Sequence, residues 1–157
     1  MRPRSKGRKF AMQMLFQIFS PKPGEELVSP EDGEELQQVF QEFWQDAGEA
    51  VPDQTRAFSE EIVCGVLKNQ PQISEAIVHH TKNWRLDRMP LVDLSILRLG
   101  TYEIFCGNTP IEVIVNEAVE LAKHFSSSES GRFINAVLDA IAKDHGQKTH
   151  TSNIINR

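Results

Sequence analysis

Apolar residues recur along most of the chain at the three- and four-residue spacing of an amphipathic helix. The clearest example runs from Thr109 to Phe125, where apolar positions cover a wide arc of the helix and polar side chains share the opposite side. A second stretch, from Phe133 to Ile141, repeats this spacing after a short polar turn at 126–130. The two stretches therefore predict adjacent helices that pack as a hairpin.

The same spacing predicts further helices upstream. One begins near Phe10 and is stopped by Pro21, and the fifth helix, from about Arg88 to Cys106, is apolar on most sides and is expected to be the most buried. No segment shows the alternating pattern of a strand. The sequence therefore predicts an all-α fold of about seven helices. Helix starts are also predicted at Ser29–Asp32, after Pro52, at Pro71 and at Thr109.

Charge is distributed unevenly along the chain. The formal net charge is -5, yet the first 24 residues contain six basic residues and no acidic residue, which leaves 11 basic and 22 acidic residues in the remainder. A local cluster of arginine and lysine attracts nucleic acid even when the rest of the protein is acidic. The alternative interpretation is a solvated, mobile N-terminus that happens to be basic.

Several kinds of chemistry are not indicated. The N-terminus lacks the apolar run of a secretory signal, and the apolar run from Leu91 to Phe105 is too short and too charged to span a bilayer, so we expect a cytoplasmic protein with no membrane contact. The histidines do not show metal-ligand spacing, and no catalytic or phosphate-binding motif occurs. We therefore expect no metal, no cofactor and no enzymatic activity.

Cys64 and Cys106 lie in apolar helical patterns and are predicted to be buried, reduced thiols.

Two long motifs resemble those of a known family. Asn-Glu-Ala-Val-Glu-Leu-Ala-Lys at 116–123, followed by Phe-Ile-Asn-Ala-Val-Leu-Asp at 133–139, is similar to the NusB family of bacterial transcription antitermination factors. The chain departs at Ala136, where the family usually has glycine, a change that a helix interior favours. The segments 8–16, 84–88 and 93–98 also match the family pattern, so the resemblance covers nearly the whole chain.

The resemblance implies an architecture. It predicts a single domain over residues 1–157 in which two three-helix sub-bundles pack together. Within this domain we expect a basic mobile arm at 1–9, an N-terminal sub-bundle at 10–68, a C-terminal sub-bundle at 70–144 and a frayed tail at 145–157.

The resemblance also implies a function. The expected role is a non-catalytic factor that binds the boxA-type RNA of ribosomal RNA transcripts together with NusE, a small-subunit ribosomal protein, with other Nus factors and RNA polymerase engaged indirectly. The arm cations at positions 4, 6, 8 and 9 match the family by position, whereas Arg2 is supported by charge alone. The residues expected to contact RNA are Arg2, Arg4, Lys6, Arg8, Lys9 and, more weakly, Lys82 and Arg85.

Contacts to the protein partner are expected on the C-terminal sub-bundle, at Asp93 and Glu129. An acidic surface suits a basic ribosomal protein. Two alternatives stay open. The first is a helix-bundle adaptor with no RNA specificity of its own. The second comes from RNA-modifying enzymes in which a NusB-like domain precedes a methyltransferase; because this chain ends before such a domain, catalysis within it is not expected.

Overall fold

The computed structural model describes residues 2–29, 31–82 and 89–155, with side chains described up to residue 146. Within these ranges the chain forms seven helices and no strand, so the all-α prediction is confirmed. In chain order the helices are α1 (Pro3–Ile18), α2 (Gly33–Asp46), α3 (Asp53–Lys68), α4 (Gln70–His79), α5 (Leu91–Cys106), α6 (Ile111–Phe125) and α7 (Ser128–Ile155).

Local chemistry accounts for several of the helix ends. Asp32 caps α2 by accepting a hydrogen bond from the backbone N–H of Glu35 at 3.1 Å. Pro52, Pro90 and Pro110 stand immediately before α3, α5 and α6 in extended backbone conformations. Gly107 follows α5 with φ of 70°, a left-handed conformation that favours glycine and ends the helix.

The chain divides into two compact units, Met1–Gln70 and Pro71–Arg157. In the first unit α1 packs against α3. Phe10 of α1 makes edge-on contacts with Phe43 and Trp44 of α2, with ring centroids 6.0 and 5.4 Å apart. These aromatic contacts join α2 to the core of the first unit.

In the second unit α5 packs against both α6 and α7. Its predicted burial is confirmed, because apolar residues such as Ile96, Leu97 and Leu99 are fully enclosed. A Cβ atom added at Gly100 would lie 2.8 Å from Cδ1 of the buried Leu138, so the missing side chain lets α5 and α7 approach closely. The two motif segments of the sequence lie on α6 and α7.

The described structure differs from the sequence predictions near both termini. Residues 3–9 form the first two turns of α1 rather than a mobile arm, because Pro3 suits the first helical position and Gly7 and Arg8 are buried. Residues 145–155 continue α7, where a frayed tail was predicted, and no proline interrupts this segment. The α6 start is shifted slightly from the prediction, since Pro110 rather than Thr109 occupies the capping position.

The cysteine prediction holds only in part. Cys64 is half-buried, and burial raises the pKa of its thiol. Cys106 is exposed, so its predicted burial is wrong; it is the last residue of α5, where the helix leaves the core before Gly107. No helix in the described ranges is both long enough and apolar enough to cross a bilayer.

Candidate nucleic-acid interface

The N-terminal end of α1 carries all five of the clustered cations. Arg2 is the capping residue, and Arg4, Lys6, Arg8 and Lys9 follow within the first two turns. The first turn contains no acidic residue, and the Arg2 side chain makes no capping hydrogen bond. Cations at this end oppose the helix dipole and cost a small amount of helix stability. The pattern is therefore unfavourable for the isolated helix.

Contacts with α3 hold this end of α1 in place. The Ser59 hydroxyl, which is fully buried, donates a hydrogen bond to the Gly7 carbonyl oxygen at 2.7 Å. A Cβ atom at Gly7 would lie 2.7 Å from Cδ1 of Phe58, so only glycine permits this approach. The basic turns of α1 are consequently docked on α3.

Phe58 lies beside two of the arginines. The guanidinium carbon of Arg4 is 5.1 Å from the centroid of the Phe58 ring, and that of Arg8 is 5.4 Å away. Both distances fall within the range of cation–π attraction. The two arginines differ in exposure, because Arg4 is exposed whereas Arg8 is only 2% exposed.

Lys6 forms an ion pair with a carboxylate of the same unit. Its Nζ atom lies 2.7 Å from Oε1 of Glu49, which is in the segment between α2 and α3. The hydrogen bond from Lys6, together with the charges of Lys6 and Lys9, lowers the pKa of the Glu49 carboxyl group. The Lys9 Nζ atom lies 4.7 Å from the centroid of the Phe10 ring. One acidic side chain thus occupies part of the basic surface.

The structure places the predicted RNA-binding residues in three settings. Arg2, Arg4, Lys6 and Lys9 are exposed or half-exposed at one end of α1. Arg8 is buried, so its predicted role as a direct RNA contact is corrected to one in packing against Phe58. Lys82 is exposed and lies after α4, in the second unit. Arg85 lies outside the described residues.

The two residues predicted to contact a protein partner also differ. Asp93 is only 3% exposed and accepts a hydrogen bond from the Ser130 hydroxyl at 2.8 Å. Its role is therefore corrected from a surface contact to a link between the start of α5 and the start of α7. Glu129 is exposed in the first turn of α7 and stays a candidate contact.

Histidines line a separate cleft in the second unit. His79, His80 and His145 border a cavity of about 340 Å³ together with Asp144. The His80 Nδ1 atom lies 2.9 Å from the Ala76 carbonyl oxygen. Among the residues with described positions, no three histidine, cysteine or acidic side chains converge as metal ligands would.

Comparison with known proteins identifies the family. The model of the NusB family matches residues 5–143. The chain belongs to the NusB family. The transcription antitermination protein NusB of Sorangium cellulosum is 40% identical over 145 residues, which cover 92% of this chain and 94% of the relative. This NusB-family chain also resembles the solved structure of T. maritima NusB, with a TM-score of 0.69, 29% identity and coverage of 90% of this chain and 92% of the other.

A second solved structure shows the same fold. It is a complex of the antitermination factors NusB and NusE with double-stranded RNA, and the matching chain has a TM-score of 0.74 and 23% identity, with coverage of 92% of this chain and 98% of the other. The segment that matches the NusB family model includes Lys6, Arg8 and Lys9 of α1, all of α6 and the motif segment of α7 at 133–139. Arg2 and Arg4 precede it.

Proposed function

We propose that this NusB-family chain binds boxA-type RNA through the docked, basic first turns of α1. The observation that supports the proposal is the clustering of the accessible cations, Arg2, Arg4, Lys6 and Lys9, at one end of a single helix of a net acidic chain. Arginine and lysine neutralise phosphates, and guanidinium groups also stack on unpaired bases. Single-stranded RNA offers both kinds of group to such a surface.

The charge distribution at the start of α1 favours the binding of an anion. Cations at the N-terminal end of α1 are repelled by the positive end of the helix dipole. Bound phosphates offset this repulsion, because an anion attracts both the cations and the helix end. The proposed factor acts on nascent transcripts in the cytoplasm, and other Nus factors and RNA polymerase take part only indirectly.

A fluorescence-anisotropy titration with boxA-type RNA and a scrambled control of the same length tests this function. We expect tighter binding to the boxA-type RNA. The logarithm of the binding constant should fall with the logarithm of salt concentration at a slope no steeper than about -2.8, from roughly -0.7 per phosphate contact on a single strand. Equal affinity for both RNAs contradicts specific recognition. Absence of RNA binding with NusE binding retained favours the adaptor without RNA specificity.

NusE is the proposed protein partner. The structurally similar NusB chain was solved in a complex with NusE and double-stranded RNA. In the present chain, all 22 acidic residues lie outside the basic first 24 residues, which suits a basic ribosomal protein. We place part of the contact at the exposed Glu129 in the first turn of α7.

Replacing Glu129 with lysine is expected to weaken NusE binding about three- to tenfold. The main effect should be slower association, because a charge at the rim of an interface contributes to the electrostatic attraction that brings two proteins together. Asp139→Lys is the matched control, since Asp139 is also exposed and lies about 15 Å further along α7 at 1.5 Å per residue. Surface plasmon resonance with immobilised NusE measures both variants. Equal losses for Glu129→Lys and Asp139→Lys place the contact away from the start of α7.

Replacing Glu49 with glutamine is expected to tighten RNA binding by up to about fivefold, because the carboxylate competes with phosphates for Lys6 and exposed ion pairs are weak. Glu34→Gln makes the same charge change at the opposite end of α2, about 20 Å along the helix axis. Anisotropy titrations of both variants separate the local effect from the change in net charge. If the two variants bind RNA equally, Glu49 does not compete for Lys6.

A further inference from the structure

We infer that Phe58 is a positioning residue of the RNA interface: its ring holds the Arg4 guanidinium in the orientation that engages RNA. This inference rests on the proposed function and extends it to a residue of α3. An apolar side chain such as Phe58 by itself indicates only a contribution to packing.

The geometry provides a fixed platform for the arginine. Phe58 is half-buried, and the α1 backbone approaches it so closely at Gly7 that a Cβ atom there would be 2.7 Å from the ring. The buried hydrogen bond from Ser59 to the Gly7 carbonyl oxygen holds α1 and α3 at this separation. The ring therefore has a defined position relative to the first turn of α1.

Arg4 and Arg8 use this platform differently. Both guanidinium groups lie near the ring, at 5.1 and 5.4 Å. Arg8 is buried and offers almost no surface to a ligand, whereas Arg4 is exposed. Arg4 is thus the arginine in contact with Phe58 that RNA can reach.

Holding a guanidinium before RNA arrives favours binding. A flexible arginine loses rotamer freedom when it binds, whereas an arginine held on an aromatic ring has lost part of that freedom already. The planar group keeps its N–H donors for phosphate and can stack on an unpaired base. Cation–π attraction at an exposed site corresponds to a contribution of about two- to fivefold in affinity.

A double-mutant cycle with boxA-type RNA tests the inference, using Phe58→Met, Arg4→Gln and the double variant. Methionine keeps an apolar side chain of similar size and removes the ring. We expect Phe58→Met to weaken RNA binding about two- to fivefold in the wild-type background and to have no effect in the Arg4→Gln background. Phe58→Tyr, which keeps an aromatic face, should bind RNA like the wild type.

Three results of the cycle overturn the inference: unchanged RNA affinity in Phe58→Met, an equal loss in both backgrounds, or a Phe58→Tyr variant as weak as Phe58→Met. A loss in Arg4→Gln without a loss in Phe58→Met contradicts the inference alone. Failure of the wild-type chain to bind RNA contradicts the proposed function as well.

Nuclear magnetic resonance of the wild-type chain provides a readout that needs no substitution at Phe58. Protons of the Arg4 side chain should be shifted upfield by the ring current of Phe58, and the Arg4 Nε–H resonance should move on addition of RNA. Random-coil shifts at Arg4 in the free protein, or an Arg4 resonance that RNA does not move, overturn the inference even if Phe58→Met fails to fold.

Discussion

Replacing Arg4, Lys6 and Lys9 together with glutamine is expected to weaken binding of boxA-type RNA on the order of 100-fold at about 0.1 M salt. Each lost phosphate contact on a single strand removes roughly 0.7 from the slope of the logarithm of affinity against the logarithm of salt, so the slope should flatten by about 2. The melting temperature should stay nearly unchanged, because these three side chains are exposed or half-exposed. Anisotropy titrations over a range of salt concentrations and circular-dichroism melts measure the two effects.

The matched control removes the same charge elsewhere. Lys68, Lys123 and Lys143 are exposed on α3, α6 and α7, and replacing all three with glutamine gives the same net charge as the α1 variant. We expect only a small loss of RNA affinity in this control. A comparable loss in both variants shows that net charge alone governs binding, and undiminished binding in the α1 variant places the RNA site elsewhere.

Replacing Arg8 with glutamine is expected to destabilise the fold by about 1–3 kcal/mol, the range for a lost hydrogen bond or contact of a buried charged group. Arg8 is only 2% exposed, and its guanidinium packs beside the Phe58 ring, a position that glutamine is too short and uncharged to reproduce. For a chain of this length the melting temperature should fall by about 2–4 °C per kcal/mol. Urea unfolding followed by circular dichroism measures the loss.

Arg4→Gln is the control for Arg8→Gln, because Arg4 is exposed near the same ring and its removal should leave the free energy of unfolding nearly unchanged. The two variants are therefore expected to separate stability from RNA binding. If Arg8→Gln melts like the wild type while its RNA affinity falls, then Arg8 contacts RNA directly, as the sequence predicts.

The helices that bury an apolar face were predictable from the sequence. The spacing of apolar residues in α6 and in the 133–141 part of α7 predicts which face enters the core, and the apolar character of α5 on most sides predicts that this helix is buried. Proline marks the starts of α5 and α6, and glycine marks the end of α5. The match of the two motifs then indicates the family. Apolar periodicity is a local property of the sequence, so the face of a helix that will be buried can be predicted without knowledge of the neighbouring helices.

The basic end of α1 was predicted less well, for a physical reason. Residues 3–9 contain no apolar period, and the contacts that fix them come from α3, with Ser59 lying 52 residues from Gly7. No local pattern reveals that the Arg8 side chain is buried or that Glu49 pairs with Lys6. Both facts depend on how two distant segments pack.

Asp93 illustrates the same limit in the second unit. A charged residue in the first turn of a helix is usually exposed, which favours the interpretation as a partner contact. The structure instead buries the carboxylate, where it accepts a hydrogen bond from the Ser130 hydroxyl and joins α5 to α7. The serine-rich turn could be identified in the sequence, but its packing against α5 could not.

The most direct test of the central claim is a titration of boxA-type RNA with this protein alone, with NusE alone and with both together. We expect the mixture to bind more tightly than either component, and RNA to tighten NusE binding by the same factor, because coupling between two ligands is reciprocal. A mixture that binds no more tightly than the better single component contradicts the account of this chain as an RNA-binding factor that acts together with NusE.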